Sequence, residues 1–468
     1  MSGPMRISLA PGLFSLPDRL AGGASVGRSA QGPPGKSLIL RFPAFRSMDD
    51  PVIIAPPNTI PGAPDKSGKS SIMRSSVPVI GTVPQSLPPG KINYRAMRKR
   101  WWLFWLVDQI VRHWPVFRAR KGVFVPRLDG IGDIAMFLPA LAHYSEVFGV
   151  PPEDITILSL PYWHSLAGNL FKGYRLVPYD GGRFEKNPWY RFKMGLWIRR
   201  QNFAVAVLDV FFRKALVLDA MIWISGAPKA YVSKPWISPR TQSEHAYYLG
   251  RHSYIDTGVY PTHELYRHFT FLSAVTGRTI EPSMPHLPWP KGRSKLPRDK
   301  KCVVVHFGCN EPGRRWPFSN YVVLINKLLD DGYTVVLTGT EKESDDLYAH
   351  PEILERDGII NLVCQTTLPE ALDIIADAHA VVSNETGPAH MAVMLGTPAV
   401  IVIGGGHFGN FVPYPPELCP PNIHWIYEPM DCYHCFYNCT KRLVDRTPFP
   451  CFAAVPFDTV WERLTSIL

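Results

Sequence analysis

Three loops carry residues whose types and spacing suit chemistry on an anion and a hydroxyl. The first is SNETGPAH at 383–390, where a strand-like apolar run gives way to a helix-like one. Asn384 or Thr386 fits the cap of that helix and Pro388 its first turn. Gly387 lets a ligand approach the backbone closely. Open amides and the positive end of the helix dipole favour a diphosphate. His390, one turn past Thr386 on the same face, is placed to donate to a phosphate oxygen. Glu385 would be repelled by phosphate, so its carboxylate fits sugar hydroxyls better. The turn reads as a nucleotide-sugar site.

The second loop, HFGCNEPGRRWPF at 306–318, sets Arg314 and Arg315 between a strand and a helix, where paired guanidiniums suit a phosphate or carboxylate. Thr338, in the strand-to-helix turn TGTEKESD, offers either a ligand contact or a helix cap. In the third loop, RLDGIGD at 127–133, Gly130 and Gly132 allow a tight turn. Asp133 falls at the start of the next helix, either as a cap or as a base that takes a proton from an attacking hydroxyl. Asp129, four residues earlier, competes for the second role.

The elements that must position these loops alternate. Over 121–285 the runs VFVP, ITILSL, YRLVPYD and FAVAVLDV read as strands separated by helix-length segments. A Pro- and Lys-rich linker follows at 286–300. The alternation restarts over 301–455 with CVVVHFG, YTVVLTG, GIINL, HAVVSN and PAVIVIGG, and 456–468 reads as an amphipathic C-terminal helix. The pattern predicts an α/β protein: two tandem Rossmann-like, doubly wound parallel-sheet domains with a cleft between them. Ligands of such sheets bind beyond the carboxyl ends of the strands, and all three loops follow strands.

The net charge of +11 in 468 residues does not belong to these domains. Residues 1–120 hold 17 Lys/Arg against 5 Asp/Glu, whereas the remainder holds 33 against 34. A neutral folded part argues against nucleic acid as a partner. Residues 1–96 are rich in Pro, Gly and Ser with no lasting period, too polar to offset their ordering entropy, and are expected to be a disordered arm, with Met97 a candidate initiator. Within the arm, GAPDKSGKSS imitates a phosphate-binding loop, but five residues separate Gly62 from Gly68 where the motif needs four. Residues 97–120 form a basic aromatic helix, too short in its apolar part to span a bilayer. It suits either an interfacial position on an anionic membrane or packing on the first domain. No secretory pattern opens the chain, so the expected compartment is the cytoplasm or the cytoplasmic face of the membrane, with reduced thiols. Cys432, Cys435, Cys439 and Cys451 number enough for a structural zinc, with free thiols as the alternative.

Taken together, RLDGIGD, HFG…RRWPFSNY, VVLTGT and SNETGPAHMAVMLGTPAV resemble glycosyltransferase family nine, the ADP-heptose:lipopolysaccharide heptosyltransferases, over about residues 121–468. The resemblance implies a GT-B fold, with acceptor on the N-terminal and donor on the C-terminal domain, and an inverting, metal-independent transfer needing no cofactor. It places the base on Asp133, the basic residue before Trp-Pro on Arg315, and the Asp-Thr-Gly-x-x-His pattern on Glu385, Thr386, Gly387 and His390. Glu in place of Asp is a departure, displacing the carboxylate by roughly 1.5 Å. It further implies a nucleotide-sugar donor and a lipid-linked or envelope glycan acceptor. A sugar-nucleotide epimerase, a non-catalytic glycan or nucleotide binder and a membrane-associated scaffold are the other readings.

Overall fold

A computed structural model of the chain describes Ile53–Ile54 and residues 80–468. The imitation phosphate-binding loop and most of the expected disordered arm lie outside the described residues. From Ile80 onward the chain lies on the folded body, so the expectation of disorder does not hold for residues 80–96. The Leu87 amide donates to the Ile237 carbonyl at 3.0 Å, and the Ile237 amide donates to Ser86 Oγ at 2.9 Å. Prolines there hold an extended path that needs few hydrogen bonds, and Leu87 packs on the apolar core.

The first sheet contains β1 (Ile53–Ile54), β2 (Val123–Pro126), β3 (Ile155–Ser159), β4 (Arg175–Pro178), β5 (Val205–Leu208), β6 (Lys229–Ser233) and β7 (Tyr254–Ile255) in the order β1-β7-β6-β5-β2-β3-β4. The second contains β8 (Cys302–His306), β9 (Thr334–Thr338), β10 (Ile359–Asn361), β11 (Ala380–Asn384), β12 (Ala399–Val402) and β13 (Ile423–Ile426) in the order β10-β9-β8-β11-β12-β13. Every pairing between these strands is parallel. Central strands such as VFVP and CVVVH are buried along their whole length, as expected where helices cover both faces. β1, β6, β7 and β13 were not evident in the sequence. Two of them are two residues long, and KAYVS and IHWI mix polar with apolar side chains.

Strand order reverses between β2 and β5 in the first sheet and between β8 and β11 in the second. At such a switch point the flanking connections diverge to opposite faces and leave a crevice. RLDGIGD follows β2, HFGCNEPGRR follows β8 and NETGP follows β11, so all three chemical loops open into the crevices. α1 (Lys99–Arg112) lies on the outside of the first domain, α2 (Ile131–Leu141) follows β2, and α3 (Pro188–Gln201) packs beside α1. Two more, α4 (Glu264–Thr276) and α5 (Gly387–Leu395), carry the contact between domains. One apolar cluster runs from Phe137, Leu265 and Phe269 in the first domain to Ala389 and Met391 in the second.

Candidate active site

The starts of α2 and α5 meet across the cleft, and two glycines make the approach possible. A Cβ on Gly132 would lie 2.6 Å from His390 Nε2, and one on Gly387 2.8 Å from Ile131 Cδ1. Asp133, the third residue of α2, therefore faces the loop that opens α5. A cavity of about 360 Å3 between them is lined by Gly132, Asp133, Arg314, Glu385, Thr386 and His390, among others. Most of the residues singled out in the sequence thus converge on one space.

That space continues in two directions. Cys309, Asn310, Thr386 and Gly387 also line a cavity of about 450 Å3 built mainly by the second domain, with His306 and Thr338, and closed by Gly130 of the first. Thr338 Oγ1 lies 3.1 Å from His306 Nδ1. Asp133 and Phe411 also line a cavity of about 440 Å3 on the first domain, with Arg127, Lys214, Glu264 and His268. The result is a three-compartment cleft with Asp133 at one junction and Thr386 at the other.

The two aspartates of the first loop are separated by their partners. Asp129 is buried and ion-paired to Arg127, which also pairs with Asp209. Burial nevertheless pushes the Asp129 carboxyl up to about 6. Asp209 accepts from the Tyr144 hydroxyl at 3.0 Å and lies 2.8 Å from His268 Nδ1. Burial opposes its charge, but Arg127 and His268 hold it well below the carboxylate range. Asp133 stands apart: its Oδ2 accepts from the Gly130 amide at 3.0 Å. Burial raises its pKa, with the Gly130 amide pulling the other way. Arg127, Asp209, Glu264 and His268 were missed in the sequence. The one available signal was Asp209, an acid closing the apolar strand FAVAVLDV.

The arginine pair divides in the opposite sense to the motif. Arg314 faces the cleft and donates to the Glu385 carbonyl at 2.9 Å and to Glu385 Oε1 at 3.1 Å. Arg315 turns away, donating to Asp346 Oδ2 at 2.8 Å and to the Cys309 carbonyl. Arg314 closes a 3-10 turn and Arg315 is extended, so successive side chains leave on opposite sides. Glu385 is also not open to a sugar. Its second oxygen accepts from the Tyr437 hydroxyl at 2.6 Å, so both oxygens hold protein groups. Burial raises its pKa against the pull of Arg314 and Tyr437.

Around the helix start, Thr386 is the cap residue of α5, yet no side chain bonds to the first amides. Asn384 does not cap. Its Oδ1 accepts from the Trp316 amide at 2.9 Å and the Tyr321 hydroxyl at 3.0 Å, and its Nδ2 donates to the Phe307 carbonyl at 2.8 Å. It locks the first loop to the second. His390 lies 2.9 Å from the Tyr414 hydroxyl through Nδ1, and burial beside Arg314 lowers its pKa to about 4. It is neutral near pH 7, with Nε2 toward Gly132.

Cys432, Cys435, Cys439 and Cys451 line one small cavity of about 10 Å3. Among the described residues, however, no group of three or more His, Cys, Asp or Glu is arranged to hold a metal ion, so the zinc expectation finds no support in this arrangement. All eight cysteines are free thiols. The segment has a different use. It lies on the glycines at 404–406, where a Cβ on Gly406 would meet the Tyr437 ring at 2.4 Å, and it delivers Tyr437 to Glu385.

Two Rossmann-like domains around a cleft, with the three loops meeting in it, define a GT-B type of protein, and solved structures agree. The Escherichia coli ADP-heptose lipopolysaccharide heptosyltransferase II superposes with a TM-score of 0.52 at 18% identity, covering 74% of this chain and 98% of that one. A family 9 glycosyltransferase of Veillonella parvula gives 0.56 at 14% identity, covering 74% and 97%. Residues 260–430 match the model of glycosyltransferase family 9 (heptosyltransferase). Lipopolysaccharide heptosyltransferase 2 of Escherichia coli strain K12 is 32% identical over 134 residues, 28% of this chain and 35% of that relative. The match thus spans about a third of the curated relative, and the Asp133 loop lies outside the residues matched by the family.

Proposed function

We propose that the chain is an inverting glycosyltransferase that moves a heptose-like sugar from ADP-heptose to a lipopolysaccharide or other envelope glycan acceptor at the cytoplasmic side of a membrane. One observation carries the reading. In a single cavity, a carboxylate of the first domain, Asp133, faces a guanidinium and an open helix start of the second, Arg314 and α5.

The reaction follows from that arrangement. The acceptor enters from the side of Arg127 and Lys214, and its hydroxyl meets Asp133. Asp133 takes the hydroxyl proton as the oxygen attacks the anomeric carbon from the face opposite the diphosphate. The bond to the diphosphate breaks, and the charge that develops there is met by Arg314, Thr386 and the first amides of α5. The base and ribose fill the compartment lined by His306, Thr338 and Met391. Glu385 works indirectly: it and Tyr437 hold Arg314 in place, a positioning role in place of the direct sugar contact expected from sequence.

Calorimetric titration of the full chain with ADP, UDP and GDP, and then with their sugar conjugates, tests the donor site. ADP is expected to bind selectively. Arg314→Ala is expected to weaken it by about tenfold or more, as loss of a charge-assisted contact implies, while Arg315→Ala leaves it near wild type. Absence of binding to any of these diphosphates removes the reading.

A further inference from the structure

α1 lies outside the family match and has two faces. Trp101, Phe104, Asp108 and Val111 are buried against the first domain. The anchor is an ion pair: Arg191 of α3 donates to both carboxylate oxygens of Asp108, at 2.7 and 2.6 Å. On the other side Trp102, Leu103, Leu106 and Ile110 are 52%, 54%, 58% and 48% exposed. At about 100° per residue these four fall within an arc of about 100°, roughly opposite the buried stripe. Trp189 at the start of α3, stacked on Phe192, adds a further exposed ring on the adjacent helix, and Phe117 is fully open just beyond α1. The segment therefore packs on the domain, one of the two sequence readings, and keeps an apolar surface on its other face.

The charge around that surface decides what covers it. Residues 91–121 hold nine Lys/Arg and a single acid, Asp108, which is buried on Arg191. Lys91, Arg95, Lys99 and Arg100 stand exposed at the N-terminal end, and Arg118, Arg120 and Lys121 at the other. Lys99 shares the face of the apolar stripe. Glu244, Glu185 and Asp154 pair with Arg98, Arg100 and Lys121, and the remaining cations of this stretch face no acid of their own segment. A tryptophan-bearing aliphatic stripe between two cationic ends complements an anionic lipid surface, where the rings sit at headgroup level and the cations meet phosphates. No helix among the described residues is long and apolar enough to cross a membrane.

We infer that the outer face of α1 is a docking surface for an anionic lipid bilayer, on which the protein rests through Trp102, Leu103, Leu106 and Ile110. The surface also adjoins the cleft. Glu185 accepts from Lys214 at 2.7 Å and pairs with Arg100 at 3.6 Å, and Lys214 lines the compartment next to Asp133. Docking through α1 thus brings that compartment toward the headgroups, where a lipid-linked acceptor would present its sugar; this last clause alone rests on the proposed function.

Sedimentation of the full chain with vesicles of phosphatidylcholine, with and without phosphatidylglycerol, tests the surface without any activity measurement. Binding is expected on the phosphatidylglycerol vesicles, weakening as salt is raised. The triple variant Trp102→Ser, Leu106→Ser, Ile110→Ser, shown by its melting curve to be folded, is expected to lose about tenfold or more of that binding. Wild-type chain that ignores the anionic vesicles at low salt overturns the proposal, as does a folded variant that binds as well as wild type. A variant that changes only the mass in solution by light scattering also overturns it, assigning the face to a second copy. If the variant unfolds, Leu106→Lys in the otherwise unchanged chain makes the same comparison.

Discussion

Asp133 and Asp129 are chemically the same side chain four residues apart, and their partners give them different work. Asp129 is committed to Arg127, whereas Asp133 meets a backbone amide and opens into the cleft. A carboxylate acting as base must be ionised, and burial raises the Asp133 pKa. Transfer is therefore expected to fall on the acid side at a higher pH than an exposed aspartate would give, because protonation removes the base. Asp133→Asn is expected to lower kcat by about 10²–10⁴-fold while donor affinity stays within a few-fold. A matched loss of donor affinity would move Asp133 out of the base role. The same scale explains the reversal at Arg314 and Arg315. Sequence places both beside the helix, but the direction each leaves the backbone depends on a single 3-10 turn.

At the scale of elements, the contact between the starts of α2 and α5 decides the geometry of the site. Gly132 permits it, because any Cβ there meets the ring of His390, which Tyr414 holds from behind. Gly132→Ala is expected to cost about 1–3 kcal/mol of stability and to raise the KM for donor, since overpacking must push α2 and α5 apart. Gly387→Ala should cost less, because the atom in its way is the far end of Ile131, a flexible side chain. Thermal melts and donor KM values for the two variants check the order. The linker is equally structural: the Leu287 amide donates to the Met394 carbonyl at 2.8 Å, and Trp289 Nε1 donates to Asp373 at 2.8 Å. Its Pro- and Lys-rich composition signalled a boundary between domains but not this attachment to the second one.

Across the whole molecule, full or partial burial holds five histidines neutral. Burial depresses His245, His252 and His390 to about 4, and His263 and His407 to about 3. Their folded pKa values lie below the unfolded value near 6.5, so the stability they provide is present above that pH. It is lost as pH falls toward 4 and below, because the unfolded chain takes up protons first. Each such proton contributes a slope of about 1.4 kcal/mol per pH unit. Urea midpoints measured from pH 7 to pH 4 are expected to fall steeply, and His263→Phe, if folded, should flatten the fall. A midpoint independent of pH over this range would contradict the buried, neutral assignment.

Much of the molecule was legible in the sequence because strand burial and loop chemistry are local signals. Runs such as FAVAVLDV in the first domain and CVVVHFG in the second are apolar and rich in valine, so they fix two parallel sheets, and the loops after such strands fix where ligands meet the chain. Short or mixed strands such as Tyr254–Ile255 and IHWI carry no such signal, and the sheets, not the residues, make them strands. The sequence by itself determined the two-domain α/β plan, the three loops and the aspartate at the start of α2. Tertiary structure decided what depends on distance across the fold. It joined Glu385 to Tyr437 from a segment 52 residues away, set His268 against Asp209 across 59, and turned Arg314 inward and Arg315 outward. The physical reason is that pairing between buried polar groups is satisfied in space, by whichever side chain packing brings within reach, and no local pattern encodes that partner.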